Sequence, residues 1–159
     1  MASLLIIVPV EKLQKEINVT IRNKKEISGI YVSLNKTHES VEKILKANKT
    51  DTNKLYFIDC VSTEEKKDGA VHVHPTQLDL LTTAIISFIK SIKGEKYLFI
   101  DALSTLLIYN NTNKVAQFVE ELTAYASENK VEIIAVSPKT KGEELLEKIF
   151  NFFDKVKRK

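Results

Sequence analysis

The stretch YLFIDALSTLL, residues 97–107, decides how this chain is read. An unbroken apolar run ends on one carboxylate, Asp101, and the chain then turns through small and polar residues, Ala102, Ser104 and Thr105. A continuous rather than alternating run suits a strand covered on both faces, as in a parallel sheet. A carboxylate at the end of such a strand has two readings. It can hold a divalent cation at the sheet edge, or it can cap the turn that follows.

Four more runs share this character: LLIIV from Leu4, GIYVSL from Gly29, LYFID from Leu55 and VEIIAV from Val131. Between them lie segments of helical period. Residues 11–24 place Leu13, Ile17 and Ile21 on one side. A second helix begins near Thr37 or His38, with Thr37 or Ser40 as its cap, and buries Val41, Ile44 and Leu45. Residues 76–92 form the clearest helix, with Leu78, Leu81, Ile85, Phe88, Ile89 and Ile92 stepping by three and four. Residues 112–129 turn Val115, Phe118, Val119, Leu122 and Ala126 inward, and residues 142–156 do so with Leu145, Leu146, Ile149, Phe150, Phe153 and Val156. Strand-then-helix order without hairpin-length turns requires crossover connections. The expected fold is therefore α/β, a three-layer α/β/α sandwich around a mainly parallel five-stranded sheet, in one domain over residues 1–159. Residues 61–75 read as one long irregular stretch.

Composition narrows the function classes. A chain of 159 residues with 43% hydrophobic content can bury a substantial core. Its net charge of +3 comes from 24 basic and 21 acidic residues mixed along the sequence, a weak field for a polyanion, so nucleic acid is not implied. No apolar run approaches the roughly 20 residues of a membrane span. The single cysteine, Cys60, has no internal disulfide partner, and the run from Leu4 to Val8 is too short for a signal core. A cytoplasmic protein without a membrane partner is expected.

The order YVSLNKTHES, LYFID, PTQLDLLTTAI and YLFIDALSTLLIYN resembles the RecA superfamily, in particular its KaiC-like branch in archaea and bacteria. The resemblance covers nearly the whole chain and is carried best by residues 101–110, where the run ending at Asp101 looks like a Walker B strand. It implies a RecA-like P-loop NTPase fold with a further strand between the first strand and the Asp101 strand. In that family the first strand leads into a glycine-rich loop with Lys and Ser or Thr, which holds the phosphates. The second strand commonly ends in a Glu that polarises the attacking water.

This chain departs from both features. Its four glycines are Gly29, Gly69, Gly94 and Gly142, and none is followed by Lys and then Ser or Thr. The corresponding stretch is IIVPVEKLQKEIN. Pro9 has no N–H to offer a phosphate, Glu11 would repel one, and Val10 and Leu13 put side chains where glycines would allow close approach. Lys12 or Lys15 could offer a point charge without the loop geometry that makes a phosphate clamp. Asn35 stands where the Glu is expected, and an amide cannot take up a proton.

Three readings follow from these residues. The first is a non-catalytic RecA/KaiC-like domain, an inactive ATPase homologue with no catalytic residue and no cofactor, acting as a protein-interaction or regulatory module. Its partner would be a protein or peptide, including copies of itself. Phe152 beside Phe150 and Phe153 covers more of the last helix than one buried face requires, so these three aromatics are the expected interaction surface. The second is a divergent NTP-binding protein using ATP and Mg²⁺, with Asp101 as metal ligand and Asp59 and Ser104 lining the nucleotide. The third is a receiver-like signalling domain with Asp59 or Asp101 as phosphoacceptor and Lys139 after the last strand, although VPVE lacks the acidic pair a receiver carries after its first strand.

Other residues carry weaker signals. In HVH, His72 and His74 would share one side of an extended segment and could start a metal site, with His38 or Asp68 folding over; otherwise they belong to a solvated excursion. Cys60 reads as a small buried side chain. The basic tail KVKRK reads as a frayed terminus.

Overall fold

The side chains of each apolar run alternate between two faces, and each face is covered by its own set of helices. We describe a computed structural model, which covers residues 3–62, 69–139 and 143–159. In strand β1 (Ser3–Val8), Leu5 and Ile7 join one core while Ile6 and Val8 join the other. The same alternation runs through β2 (Ser28–Ser33), β3 (Leu55–Asp59), β5 (Lys96–Asp101) and β6 (Glu132–Pro138). Helices α1 (Leu13–Asn23) and α2 (His38–Ala47) cover one face through Ile17, Ile21, Val41 and Leu45. Helices α3 (Leu78–Ser91), α4 (Thr112–Glu128) and α5 (Glu143–Ile149) cover the other through Leu81, Ile85, Val115, Phe118, Leu145 and Ile149. The expected three-layer sandwich is therefore present.

The sheet corrects the expected strand count. Among the described residues it has seven strands rather than five, the two unforeseen ones being β4 (Val71–His72) and β7 (Lys155–Arg158). The order is β4-β3-β2-β5-β6-β1-β7, with β4 and β7 at the edges, and every neighbouring pair is parallel. An edge strand faces another strand on one side only, so it does not need a continuous apolar run, and charge along it discourages unwanted pairing. β4 lies inside the stretch read as irregular, and β7 is most of the tail read as frayed. β6 lies between β1 and β5, the position the family resemblance implies for a further strand.

The end of the chain also differs from the expected helix over residues 142–156. Of that range, residue 142 lies outside the described residues. α5 stops at Ile149, passes into a 3-10 turn (Phe150–Phe152), and the chain then enters β7. A reciprocal pair of hydrogen bonds holds the reversal. The Ser3 amide donates to Asp154 Oδ2 at 2.8 Å, and the Asp154 amide donates to Ser3 Oγ at 2.9 Å.

Of the two caps read for α2, Thr37 is the one used, its Oγ1 accepting from the Ser40 amide at 3.3 Å. α4 has a cap the sequence reading did not name, Asn111 Oδ1 accepting from the Lys114 amide at 2.9 Å, while α1 and α3 have no side-chain cap.

Candidate functional site

In a parallel sheet the polar residues at the strand ends converge on one edge, and here that edge carries Val8, Ser33, Asp59, His72, Asp101 and Pro138. At β1 the chain passes through Pro9 into a single 3-10 turn, Val10–Lys12, and directly into α1. The Lys12 amide donates to the Pro9 carbonyl at 2.9 Å, so it is consumed inside the turn.

Asp59 and Asp101 both stand at the edge and both are buried, but their surroundings are opposite. Asp59 Oδ1 accepts from the amides of Val61 and Ser62, each at 2.9 Å. Its Oδ2 accepts from the His38 amide at 3.0 Å and lies 2.9 Å from His38 Nδ1. Burial pushes the Asp59 carboxyl upward, but these donors, led by the Ser62 amide and His38, outweigh it and leave the group below its usual value.

Among the described residues the Asp101 carboxylate has one donor. Tyr31 Oη gives it a 2.6 Å hydrogen bond at Oδ2, and Oδ1 has no partner among the described residues. Burial raises the Asp101 carboxyl above its usual value despite the Tyr31 hydrogen bond and the Lys36 charge, and burial likewise raises the Tyr31 hydroxyl. The capping role read for Asp101 thus belongs to Asp59. The 3-10 helix after Asp101, Leu103–Ile108, has no side-chain cap.

Ser104 is half-buried within that 3-10 helix, and Thr105 Oγ1 donates to Asn35 Oδ1 across the edge. Cys60 is buried, and burial together with the Asp59 charge pushes its thiol up to about 12, which keeps it protonated. The two histidines of HVH have different neighbours. His72 Nδ1 lies 2.6 Å from the Ser62 carbonyl, while His74 Nδ1 lies 2.7 Å from Thr76 Oγ1 and its ring meets Tyr109. Asp68 lies outside the described residues.

The aromatics of the chain end are not an exposed surface. Phe153 is buried, Phe150 and Phe152 pack half-buried against the larger core, and the Arg158 guanidinium stands 4.8 Å from the Phe150 ring centre. Phe150 and Phe152 lie in the 3-10 turn that follows α5, and both pack against the larger core from there.

One exposed apolar surface lies beside edge strand β4. Tyr56, Val71 and Leu80 are each 40–48% exposed, and with Val73, Ala84 and Phe88 they line a groove of about 560 Å³ between the β3–β4 edge and α3. The Tyr56 and Phe88 rings stand 5.9 Å apart across it. Sequence reading missed this groove. Leu80 lies off the expected inner stripe of α3, and that was the one available signal.

These observations define the class: a domain with a parallel sheet between two helical layers. Solved structures with the same fold include a KaiC-like protein, PH0186, of the hyperthermophilic archaeon Pyrococcus horikoshii OT3. It is 14% identical, with a TM-score of 0.72 over 98% of this chain and 69% of that one. A second protein of that organism, PH0250, is 10% identical with a TM-score of 0.67 over 99% of this chain and 81% of its own. A third, the uncharacterized protein PH0321 in complex with an unknown peptide, is 12% identical with a TM-score of 0.67 over 99% of this chain and 77% of its own. At these identities the likeness is one of fold. The chain belongs to the family described as Protein of unknown function (DUF835), whose model matches residues 10–150. None of the curated proteins compared with it matches in sequence. Among the described residues no helix is long and apolar enough to cross a membrane.

Proposed function

We propose that this chain is a non-catalytic KaiC-like domain that works as a protein-interaction module, receiving an extended peptide segment in the groove between α3 and the β3–β4 edge. The observation that carries this reading is the groove itself. Its lining sets Tyr56, Val71, Val73, Leu80, Ala84, Phe88 and Ile92 among the hydroxyls of Thr83, Ser87 and Ser91, and it runs beside β4, an edge strand of the sheet. A sheet edge supplies main-chain hydrogen bonds to an added strand, and an adjoining apolar groove takes its side chains. The peptide found with PH0321 supports the reading by analogy of fold. The non-catalytic part is supported by the β1–α1 connection, in which a proline and a closed 3-10 turn stand where bare amides would cradle phosphate.

Selection of a random peptide library against the intact chain tests this. Enriched peptides that bind wild type at least about tenfold better than Leu80→Glu and Val71→Lys, with unchanged thermal midpoints, support the groove. Peptides indifferent to both substitutions, or no enrichment, overturn it.

One observation favours a second reading, a divergent NTP-binding protein with Mg²⁺ at Asp101: the unpartnered Asp101 Oδ1 at the carboxyl edge. A ligand that prefers the folded state raises its stability by RT ln(1 + [L]/Kd). A magnesium-dependent rise in thermal midpoint with ATP or GTP that Asp101→Asn abolishes would establish this reading and displace the first.

A further inference from the structure

The sheet has a second edge, β7, at the opposite end from β4. Among the described residues β7 is joined to the sheet through β1 alone, with Leu4 beside Lys155 and Ile7 beside Arg158. Along a parallel strand each residue turns its amide and carbonyl to one side, and the next residue turns them to the other. The Lys159 amide donates inward to the Ile7 carbonyl at 2.9 Å. By that alternation Lys155 and Lys157 also pair inward with β1, while the amides and carbonyls of Val156 and Arg158 point away from the sheet. No strand of the described residues takes them up.

The side chains sort in the same way. Val156 packs against the larger core and the Arg158 guanidinium stands 4.8 Å from the Phe150 ring centre, so these two lie on the α5 side. Lys155, Lys157 and Lys159 then lie on the α1 side, where Lys159 Nζ meets Glu16 Oε1 at 3.0 Å. Lys155 and Lys157 are exposed, and among the described residues no carboxylate forms an ion pair with either of them or with Arg158. On the α5 side, Glu143 and Glu147 share a groove of about 500 Å³ with Leu146, Phe150 and Arg158. One face of the edge thus offers uncompensated cations, and the other sets carboxylates beside apolar side chains.

We propose that β7 is a docking strand for an extended acidic segment of a partner protein, which joins the sheet as its next strand and sets alternate carboxylates beside Lys155 and Lys157. An open edge supplies main-chain hydrogen bonds to an added strand, and the surroundings of its alternate side chains select which strand is accepted. Opposite charges on neighbouring strands attract and like charges repel, so the lysines that turn away a second copy of β7 are the ones that admit carboxylates. Partner residues on the α5 side are uncharged, because Glu143 and Glu147 repel acidic ones there. The segment therefore alternates acidic and uncharged residues with period two. This surface is independent of the groove between α3 and the β3–β4 edge.

The probe is a fluorescent peptide of alternating Glu and Val, about eight residues long, titrated into the intact chain by anisotropy. Saturable binding that weakens as salt rises is expected. Lys155→Glu with Lys157→Glu should weaken it by at least about tenfold and confer binding of the matching peptide of alternating Lys and Val. Methylating one alternate set of the probe's backbone nitrogens should abolish binding and methylating the other should spare it, since only one edge of the peptide meets β7. Lys43→Glu with Lys90→Glu makes the same change in net charge on α2 and α3 and should bind as the wild type does. All four lysines are exposed, so neither double variant disturbs the core. Absence of saturable binding, equal loss in the two double variants, indifference to methylation of both sets, or preference for an oligothymidylate over the peptide each overturns the proposal.

Discussion

The Tyr31 hydroxyl stands 2.6 Å from Asp101 Oδ2, joining the middle of β2 to the carboxyl end of β5 within the smaller core. It is the only hydrogen bond to a carboxylate that is otherwise buried without a partner among the described residues. Tyr31→Phe removes the donor and should cost about 1–3 kcal/mol in urea unfolding at neutral pH, the range for leaving a buried polar group unsatisfied. A loss within experimental error would mean that water or a rotated side chain replaces the tyrosine.

Asp101 has a pH signature of its own. Its folded-state carboxyl is raised by burial, so its stabilising contribution is complete below the unfolded value of about 3.9 and is lost as pH rises through the folded value. Asp101→Asn removes that loss. Its stability relative to wild type should improve from about pH 4 upward and then level off, as followed by denaturant melts across pH. A difference that stays flat would contradict this.

Asp59 should behave in the opposite way. Its folded-state carboxyl is lowered, chiefly because the Ser62 amide, His38 and the Val61 amide together outweigh burial, so its contribution is present above about pH 3.9 and is lost as pH falls through the folded value. Asp59→Asn is expected to cost about 1–3 kcal/mol at neutral pH, with the deficit shrinking in acid. The two variants' pH profiles should therefore slope in opposite senses.

Gly29 on β2 lies in register with Tyr97 on β5, and a Cβ added there would overlap the buried Tyr97 ring at Cζ, Oη and Cε1. Gly29→Ala should destabilise by about 1–3 kcal/mol through overpacking. Shaving the obstruction with Tyr97→Leu in the same chain should recover part of that loss in a double-mutant cycle.

Removing residues 155–159 deletes β7 and uncovers the outer backbone of β1 from Leu4 to Ile7. An uncovered, flat, apolar edge is a template for pairing between chains. The truncated protein should show a lower thermal midpoint and concentration-dependent association by light scattering. A monomeric truncation with unchanged stability would show that β7 is dispensable.

The legible part of the fold was its interior. Leu4–Val8, Gly29–Leu34, Leu55–Asp59, Tyr97–Asp101 and Val131–Val136 lie where nearly every side chain is covered, Tyr56 excepted, so burial on both faces wrote itself into continuous apolar runs. The edges left no such trace. Val71–His72 and Lys155–Arg158 are strands because a neighbour offers them backbone partners, and alternating or charged residues satisfy that condition as well as apolar ones do. The chain-end aromatics were misread for a related reason. Phe150, Phe152 and Phe153 appear to encircle a helix only if the helix continues, and it is the Ser3–Asp154 clamp, reaching across almost the whole sequence, that marks where the chain reverses.

The amino-acid order by itself determined the layered parallel architecture, the capped start of α2, and a first strand followed by proline and bulky side chains, because each follows from side-chain period or local backbone chemistry. Tertiary structure alone decided which of two similar carboxylates is saturated and which is stranded, that His72 faces His38 rather than His74, and where apolar surface stays uncovered. Those outcomes depend on which strand ends lie side by side, and strand adjacency is set by long-range backbone pairing that no local stretch encodes.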